Sequence, residues 1–357
     1  MADLKDIAGR FATQGRVTEV NPLGEGFIND TYVVTTDGPH RYILQRKNKN
    51  VFPDVPAMMD NITAVTAHIK QKVADPLQET ITVILARDGK PYFLDDDGEY
   101  WAMCLYIEDT VTYDVATTPE MARQGGIGIG RFQAQLADFD KPLAQVIKGF
   151  HNIRWRFTQW DASLAADKAG RKASVAKEIA FVEARREHML SFWTMVEDGT
   201  LPQRVTHNDT KLSNILFDKH SGEVLCAIDL DTVMSSTSLN DVGDAIRSYA
   251  NATVEDDPRY DKVALRLDMF EAYMDGYLSQ RRDTLTGSEK DWLAFAPLYI
   301  TYEQVLRFLM DYIDGDRYYK IRYPEHNLVR TRSQIALMRS MEDNYPQMQA
   351  IIRKLLE

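Results

Sequence analysis

Apolar and polar residues alternate over Val17–Pro22, again over 27–35 and again over 41–46, giving three strand-length runs near the start of the chain. Asp37-Gly38 lies between the second and third runs and is a tight-turn signal, so these runs predict an antiparallel sheet. Ahead of it, Leu4, Ile7, Ala8 and Phe11 fall at helical spacing and predict a short helix packed on that sheet. Ile62, Val65 and Ile69 form the apolar stripe of a helix over 60–70. Strands follow over 80–86, 92–94 and 100–107, separated by turns at Asp88-Gly89 and at Asp95-Asp96-Asp97-Gly98, the latter read as an acidic hairpin tip.

After Glu108 the periodicity becomes helical for most of the remaining chain, which places a domain boundary between 1–108 and 109–357. Helices are predicted over 119–136, over 177–197 as one long element, after a polar turn at 238–244, over 291–314 and over 331–357. One β interruption stands in this half. Ile215-Leu216-Phe217 and Val224-Leu225-Cys226-Ala227-Ile228 flank a turn at 218–222 and predict a hairpin.

A chain of 357 residues, 44% hydrophobic and 10% aromatic, has material for about two domains with a sizeable core. The net charge of -11 argues against a nucleic-acid partner. Arg185-Arg186 and Arg281-Arg282 read as solvated helix faces. No run approaches the roughly 18 apolar residues of a membrane span, and no charged-then-apolar leader opens the chain, so the expectation is a cytoplasmic protein without a membrane partner. Cys104 and Cys226 both sit in apolar strands and read as core thiols rather than a disulfide; no zinc spacing is present. The oligomeric state stays open.

The chemistry concentrates in His207-Asn208-Asp209-Thr210-Lys211-Leu212-Ser213-Asn214, followed by Ala227-Ile228-Asp229-Leu230-Asp231. Asp209 can take a proton from an attacking hydroxyl, Lys211 can reach a transferring phosphate, and Asn214 and Asp229 offer the hard oxygen ligands Mg²⁺ prefers. The spacing His-x-Asp-x-x-x-x-Asn alone arises by chance in roughly a few per cent of chains this long. The flanking hairpin adds weight, because it would bring Asn214 and Asp229 side by side. Between the first two strands, Gly24-Glu25-Gly26 is either a phosphate-covering loop or a plain glycine-rich hairpin. Backbone groups at the crossing after the last N-terminal strand, Tyr106 and Ile107, suit a nucleotide base. Gly125-Gly126-Ile127-Gly128-Ile129-Gly130 has no strand before it and reads as a close helix-helix approach. His151 is either a pocket residue or a packed histidine, and Asp241 and Asp244 either cap their helix or brace the loop at 207–214.

Taken together, these blocks resemble the aminoglycoside phosphotransferase and choline kinase group of small-molecule kinases, and within it the bacterial N-acetylhexosamine 1-kinases. The resemblance runs nearly end to end. It is carried by Gly24-Glu25-Gly26-Phe27-Ile28-Asn29, Tyr42-Ile43-Leu44-Gln45, 205–216, Ile228-Asp229-Leu230-Asp231-Thr232, Gly243-Asp244-Ala245-Ile246-Arg247 and the C-terminal block 323–332. It implies an α+β, protein-kinase-like two-lobe fold, with a small antiparallel-sheet nucleotide-binding lobe over 1–108 and a larger, mostly helical catalytic and substrate-binding lobe over 109–357. ATP and Mg²⁺ would serve transfer to the anomeric hydroxyl of a sugar. Asp209 is then the base and a sugar contact, Lys211 catalytic, and Asn214 and Asp229 metal ligands. Gly24, Gly26, Gln45, Tyr106 and Ile107 would line the nucleotide site, and Arg307 and Tyr318 would contact the sugar. Asp231 is either a second acid near the metal or a brace.

The departures are specific. Gln45, with Arg46 beside it, stands where a strand lysine is expected, and Thr63 where its helix acid is expected, which leaves the anchor of the α- and β-phosphates unassigned. Phe27 and Ser248 stand where the resemblance implies a histidine and a phenylalanine in the sugar pocket.

Overall fold

The computed structural model describes residues 3–24 and 28–357. The chain divides into two compact units, one comprising 1–112, 135–148 and 215–235, the other 113–134, 149–214 and 236–357.

In the first unit, α1 (Leu4–Ala8) precedes β1 (Val17–Pro22), β2 (Asp30–Thr36) and β3 (Tyr42–Lys47). Helix α2 (Val55–Lys70) follows, then β4 (Val83–Ile84), β5 (Phe93–Leu94), β6 (Tyr100–Leu105) and β7 (Thr110–Val111). The main sheet runs β1-β2-β3-β6-β4, with β5 also pairing β6, and every ladder is antiparallel. Alternation decides its faces: Val34, Tyr42, Leu44, Trp101 and Met103 bury on one side, against Ile7, Ala8 and Phe11. Gln45 and Lys47, two residues apart on β3, therefore share the opposite face.

Helix α2 begins before the expected residue 60, because the Asp54 carboxylate caps the Ala57 amide at 3.0 Å and Pro56 sits in the first turn. The strand expected over 80–86 shortens to Val83–Ile84.

The second unit holds α3 (Pro119–Gln135, its last residue counted with the first unit), α4 (Ile153–Ala166), α5 (Ala176–Glu183) and α6 (Arg186–Glu197). After β8 (Arg204–Thr206), β9 (Ile215–Asp218) and β10 (Val224–Ala227) form the expected hairpin, which belongs to the first unit with Ala227 opposite Ile215. The short strand β11 (Met234–Ser236) leads to α7 (Ser238–Tyr249), α8 (Leu267–Arg281), α9 (Gly287–Trp292), α10 (Ala296–Asp314), α11 (His326–Asp343) and α12 (Tyr345–Leu356). Helix α10 is buried on all sides and carries Tyr299, Tyr302, Glu303 and Arg307 inward. The glycine run does serve helix packing: a Cβ on Gly126 would lie 2.1 Å from the Tyr273 carbonyl oxygen, and one on Gly276 would lie 2.0 Å from that of Arg123.

Three helices expected as single elements are divided. The run 177–197 breaks between Glu183 and Arg186, without a proline or glycine. The run 331–357 starts earlier, at His326, and breaks at Asn344 because Pro346 lacks the amide needed to continue. The run expected to start at 291 separates into α9 and α10, with Pro297 opening the second.

Candidate active site

The loop after β8 contains no regular hydrogen-bond ladder, so its amides need other partners. Buried carboxylates on α7 supply them. Asp241 accepts from the Asn208 amide at 2.7 Å, the His207 amide at 3.1 Å and Gln133 Nε2 at 2.8 Å. Asp244, one turn on, accepts from the Thr210 amide at 2.9 Å and from Arg247 at 2.9 Å. Thr210 Oγ1 closes the clasp by donating to the Asp241 carbonyl at 2.7 Å. Thr237 caps the helix, so both acids brace the loop. Burial pushes the Asp241 carboxyl up, against the pull of His207. Burial acts on Asp244 in the same sense but is outweighed by Arg247, which leaves its carboxyl below the usual range.

A second brace comes from the turn before α4 and from α10. His151 sits 2.6 Å from Glu303 Oε2 through Nδ1 and 3.1 Å from the Asn208 carbonyl through Nε2. Burial works against a charged imidazole, but the Glu303 carboxylate outweighs it and raises the His151 pKa. Glu303 in turn, despite its burial, is held well below the usual carboxylate range by His151 and Arg156. His151 is thus a packed residue that fixes the loop, with Asn208 beside it in the left-handed region at φ 66°.

These braces present Asp209. Its side chain is 29% exposed, enough to meet a substrate, and lies 3.1 Å from Lys211 Nζ. Asn214 Nδ2 donates to the Asp209 carbonyl at 2.8 Å and to Oδ2 at 2.9 Å. With its nitrogen so engaged, Asn214 keeps Oδ1 as its acceptor, the atom a hard cation would take. In the other unit, Asp229 follows β10 in the left-handed conformation, φ 58°. Among the described residues no group of three or more His, Cys, Asp or Glu could hold a metal by itself. The Asn214 side-chain oxygen is a hard donor of the kind Mg²⁺ prefers.

Asp231 is a brace within the first unit: Oδ1 accepts from Lys47 Nζ and Oδ2 from Asn29 Nδ2, both at 2.7 Å. Gln45 Oε1 accepts from the same Lys47 ammonium at 2.7 Å. The Tyr106 amide donates to the Arg41 carbonyl at 3.0 Å, and the Ile107 carbonyl accepts from Thr110 Oγ1 at 2.8 Å. Gly24 has φ 64° and open space where a Cβ would stand. Gly26, with Glu25 and Phe27, lies outside the described residues.

Arg307, 8% exposed, has its guanidinium carbon 5.7 Å from the Phe150 ring, 5.9 Å from Tyr318 and 5.5 Å from Tyr319. The Tyr318 and Tyr319 amides are fixed by the Asp311 carboxylate at 2.8 and 2.9 Å, which aims a turn that otherwise projects outward. Tyr318 is 63% exposed. Arg307 and Tyr318, predicted together, are brought together. Phe150, Tyr319, Glu303 and Lys47 were missed, and only Lys47 had a readable signal, a cation one alternation beyond Gln45.

Comparison with known proteins adds a family. Residues 19–277 match the family described as the phosphotransferase enzyme family. Among solved structures, a microcompartment-associated aminopropanol kinase is 16% identical with a TM-score of 0.65, over 97% of this chain and 98% of that one. A spectinomycin phosphotransferase in complex with ADP and spectinomycin is 12% identical at TM-score 0.61, over 96% and 98%. An amicoumacin kinase in complex with AMP-PNP and Ca²⁺ is 15% identical at TM-score 0.59, over 96% and 92%. At these identities the likeness establishes the fold: protein-kinase-like and α+β, with an antiparallel-sheet N-terminal region and a helical C-terminal region.

Proposed function

This chain belongs to the phosphotransferase enzyme family, and we propose that within it the protein is an ATP- and Mg²⁺-dependent kinase that phosphorylates the anomeric hydroxyl of an N-acetylhexosamine. The observation that carries the reaction type is the Asp209 carboxylate, accessible and held by Lys211 and Asn214 on a loop whose backbone is locked by buried charges. In the proposed step the sugar oxygen attacks the γ-phosphorus, the bond from that phosphorus to the ADP oxygen breaks, and the hydroxyl proton passes to Asp209. Lys211 meets the charge of the transferring group. Mg²⁺, when bound through Asn214 Oδ1 and Asp229, supplies neutralisation of phosphate charge. An anomeric hydroxyl is more acidic than an ordinary alcohol, so Asp209 orients it and accepts its proton late.

The acceptor class rests on Arg307. A buried guanidinium walled by Phe150, Tyr318 and Tyr319 suits a neutral ring with hydroxyl and acetamido acceptors. The solved relatives named for aminopropanol and spectinomycin take amine-bearing acceptors, for which a cation in the pocket is repulsive. The nucleotide base would lie against Tyr106 and Ile107 and its phosphates under the Gly24 loop.

The test is ADP release with Mg-ATP across N-acetylhexosamines, plain hexoses, choline and aminoglycosides, with phosphorus NMR of the product. An anomeric N-acetylhexosamine phosphate is expected. Turnover confined to an amine-bearing acceptor would overturn the sugar assignment and leave the phosphotransferase standing.

A further inference from the structure

The tyrosines beside Arg307 stand on a stretch, 315–325, that joins α10 to α11 and forms neither helix nor strand. Apart from Tyr319, its apolar side chains do little to hold it: Tyr318 is 63% exposed, Tyr323 42% and Ile321 39%. Its shape has to come from hydrogen bonds instead. The chain reverses at Gly315 and Asp316, at φ 92° and 58°, a conformation uncommon for a residue other than glycine. Asp316 is held there through both carboxylate oxygens, Oδ2 accepting from Arg171 at 2.5 Å and Oδ1 from Asn327 Nδ2 at 2.9 Å.

The same Asn327 nitrogen donates to Asp311 Oδ2 at 2.9 Å, and Asp311 accepts the amides of Arg317, Tyr318 and Tyr319 at 2.8, 2.8 and 2.9 Å. One side-chain amide thus joins the two carboxylates that set the turn. His326, its neighbour, holds the far end. A backbone amide only donates, so the Arg322 N–H, 3.2 Å from Nδ1, makes that nitrogen the acceptor and leaves Nε2–H to donate to Asp256 Oδ2 at 2.8 Å. The His326 amide donates to the Tyr323 carbonyl at 3.1 Å. Both side chains are fully buried, at a cost in desolvation that apolar residues opening α11 would not carry. What they grip is the backbone of the turn and the acids that organise it. We propose that His326 and Asn327 are positioning residues for the acceptor, acting through the 316–323 turn to set where the Tyr318 and Tyr319 rings stand beside Arg307. The C-terminal block 323–332, which supplies no group to the transfer step, thereby serves recognition.

This inference rests on the acceptor reading of the Arg307 cluster, and one set of initial rates separates the two. Mg-ATP and either N-acetylglucosamine or N-acetylgalactosamine are varied in turn for the wild type, Asn327→Asp, His326→Phe and His326→Asn. Asn327→Asp keeps the shape but sets a third carboxylate against Asp311 and Asp316. Acceptor KM should rise about three- to tenfold, because both tyrosines shift, with kcat and the KM for ATP within about twofold of the wild type. His326→Phe keeps a ring and loses both polar contacts, so it should raise acceptor KM in the same sense. His326→Asn, whose side-chain oxygen can accept the Arg322 amide, should recover part of that loss. The His326 pair carries the test should Asn327→Asp fold poorly. Unchanged acceptor KM, a common shift of acceptor KM, ATP KM and kcat, or no recovery in His326→Asn would show that these residues only support the fold and would overturn the inference alone. A wild type that turns over neither sugar would overturn the acceptor reading and this inference with it.

Discussion

The loop at 207–214 and the cluster around Arg307 belong to the same unit and are built in opposite ways. The loop is contiguous in sequence, and its backbone is gripped by Asp241, Asp244 and His151, each engaged through charge-assisted bonds. The Arg307 cluster draws Phe150 from one segment and the adjacent Tyr318 and Tyr319 from another; Asp311 holds the two tyrosine amides, but the side chains meet Arg307 only through their rings, with Tyr318 largely in solvent. Chemistry that does not change with substrate is fixed by buried charge. On the proposed reading, recognition, which must differ from one acceptor to another, is left to side-chain packing that single substitutions can alter. The contrast is testable, because damage to the loop should cost turnover or stability, and damage to the cluster should cost acceptor affinity.

The largest effect is expected at Asp209. Asp209→Asn keeps the size and the Asn214 contact region but removes the proton acceptor, so kcat should fall about a hundred- to ten-thousandfold with acceptor binding retained. Wild-type turnover would break the reading of the loop outright. Next comes Asp241→Ala, which strands the His207 and Asn208 amides and Gln133; a loss of roughly 3 kcal/mol, about 4 °C in melting temperature for a chain of this length, is expected. A variant as stable as the wild type would show that the clasp does not fix the loop.

The His151–Glu303 pair adds a pH signature. The folded His151 pKa is raised above its ordinary value of 6.5, so its stabilisation is fully present below that value and is lost as pH rises through the raised folded pKa. Glu303→Gln should therefore lower the melting temperature most below the ordinary histidine value of 6.5, the gap to the wild type narrowing as the pH rises through the raised folded value. A gap independent of pH would assign the stabilisation to Arg156 alone.

What could be read beforehand follows the same division. Val17–Pro22 and the 215–227 hairpin are legible because strand periodicity and turn chemistry are local. The loop residues Asp209, Lys211 and Asn214 are legible because their spacing is fixed within one turn of chain. His151 meets Glu303 across 152 positions and Lys47 meets Asp231 across 184, and no local pattern encodes such a pairing. The division of 177–197 is hidden for a related reason. Arg185, at the break, is drawn to Glu342 at 2.6 Å, a distant partner, while its own segment reads as continuous helix.

The smaller effects belong to the cluster and sharpen the contrast. Arg307→Met keeps bulk among the rings and removes the charge, so the acceptor KM should rise about tenfold, the cost of one hydrogen bond to a charged group, with kcat nearly kept. Tyr318→Ala removes an exposed ring whose contact contributes about 0.5 to 1 kcal/mol, so KM should rise only about two- to fivefold. Its melting temperature should stay at the wild-type value, because Asp311 grips the backbone amide of this residue and not its ring. If Tyr318→Ala lowered kcat as strongly as KM, the ring would be acting on the transferring group, and the separation of a rigid chemical loop from an adjustable recognition surface would fail.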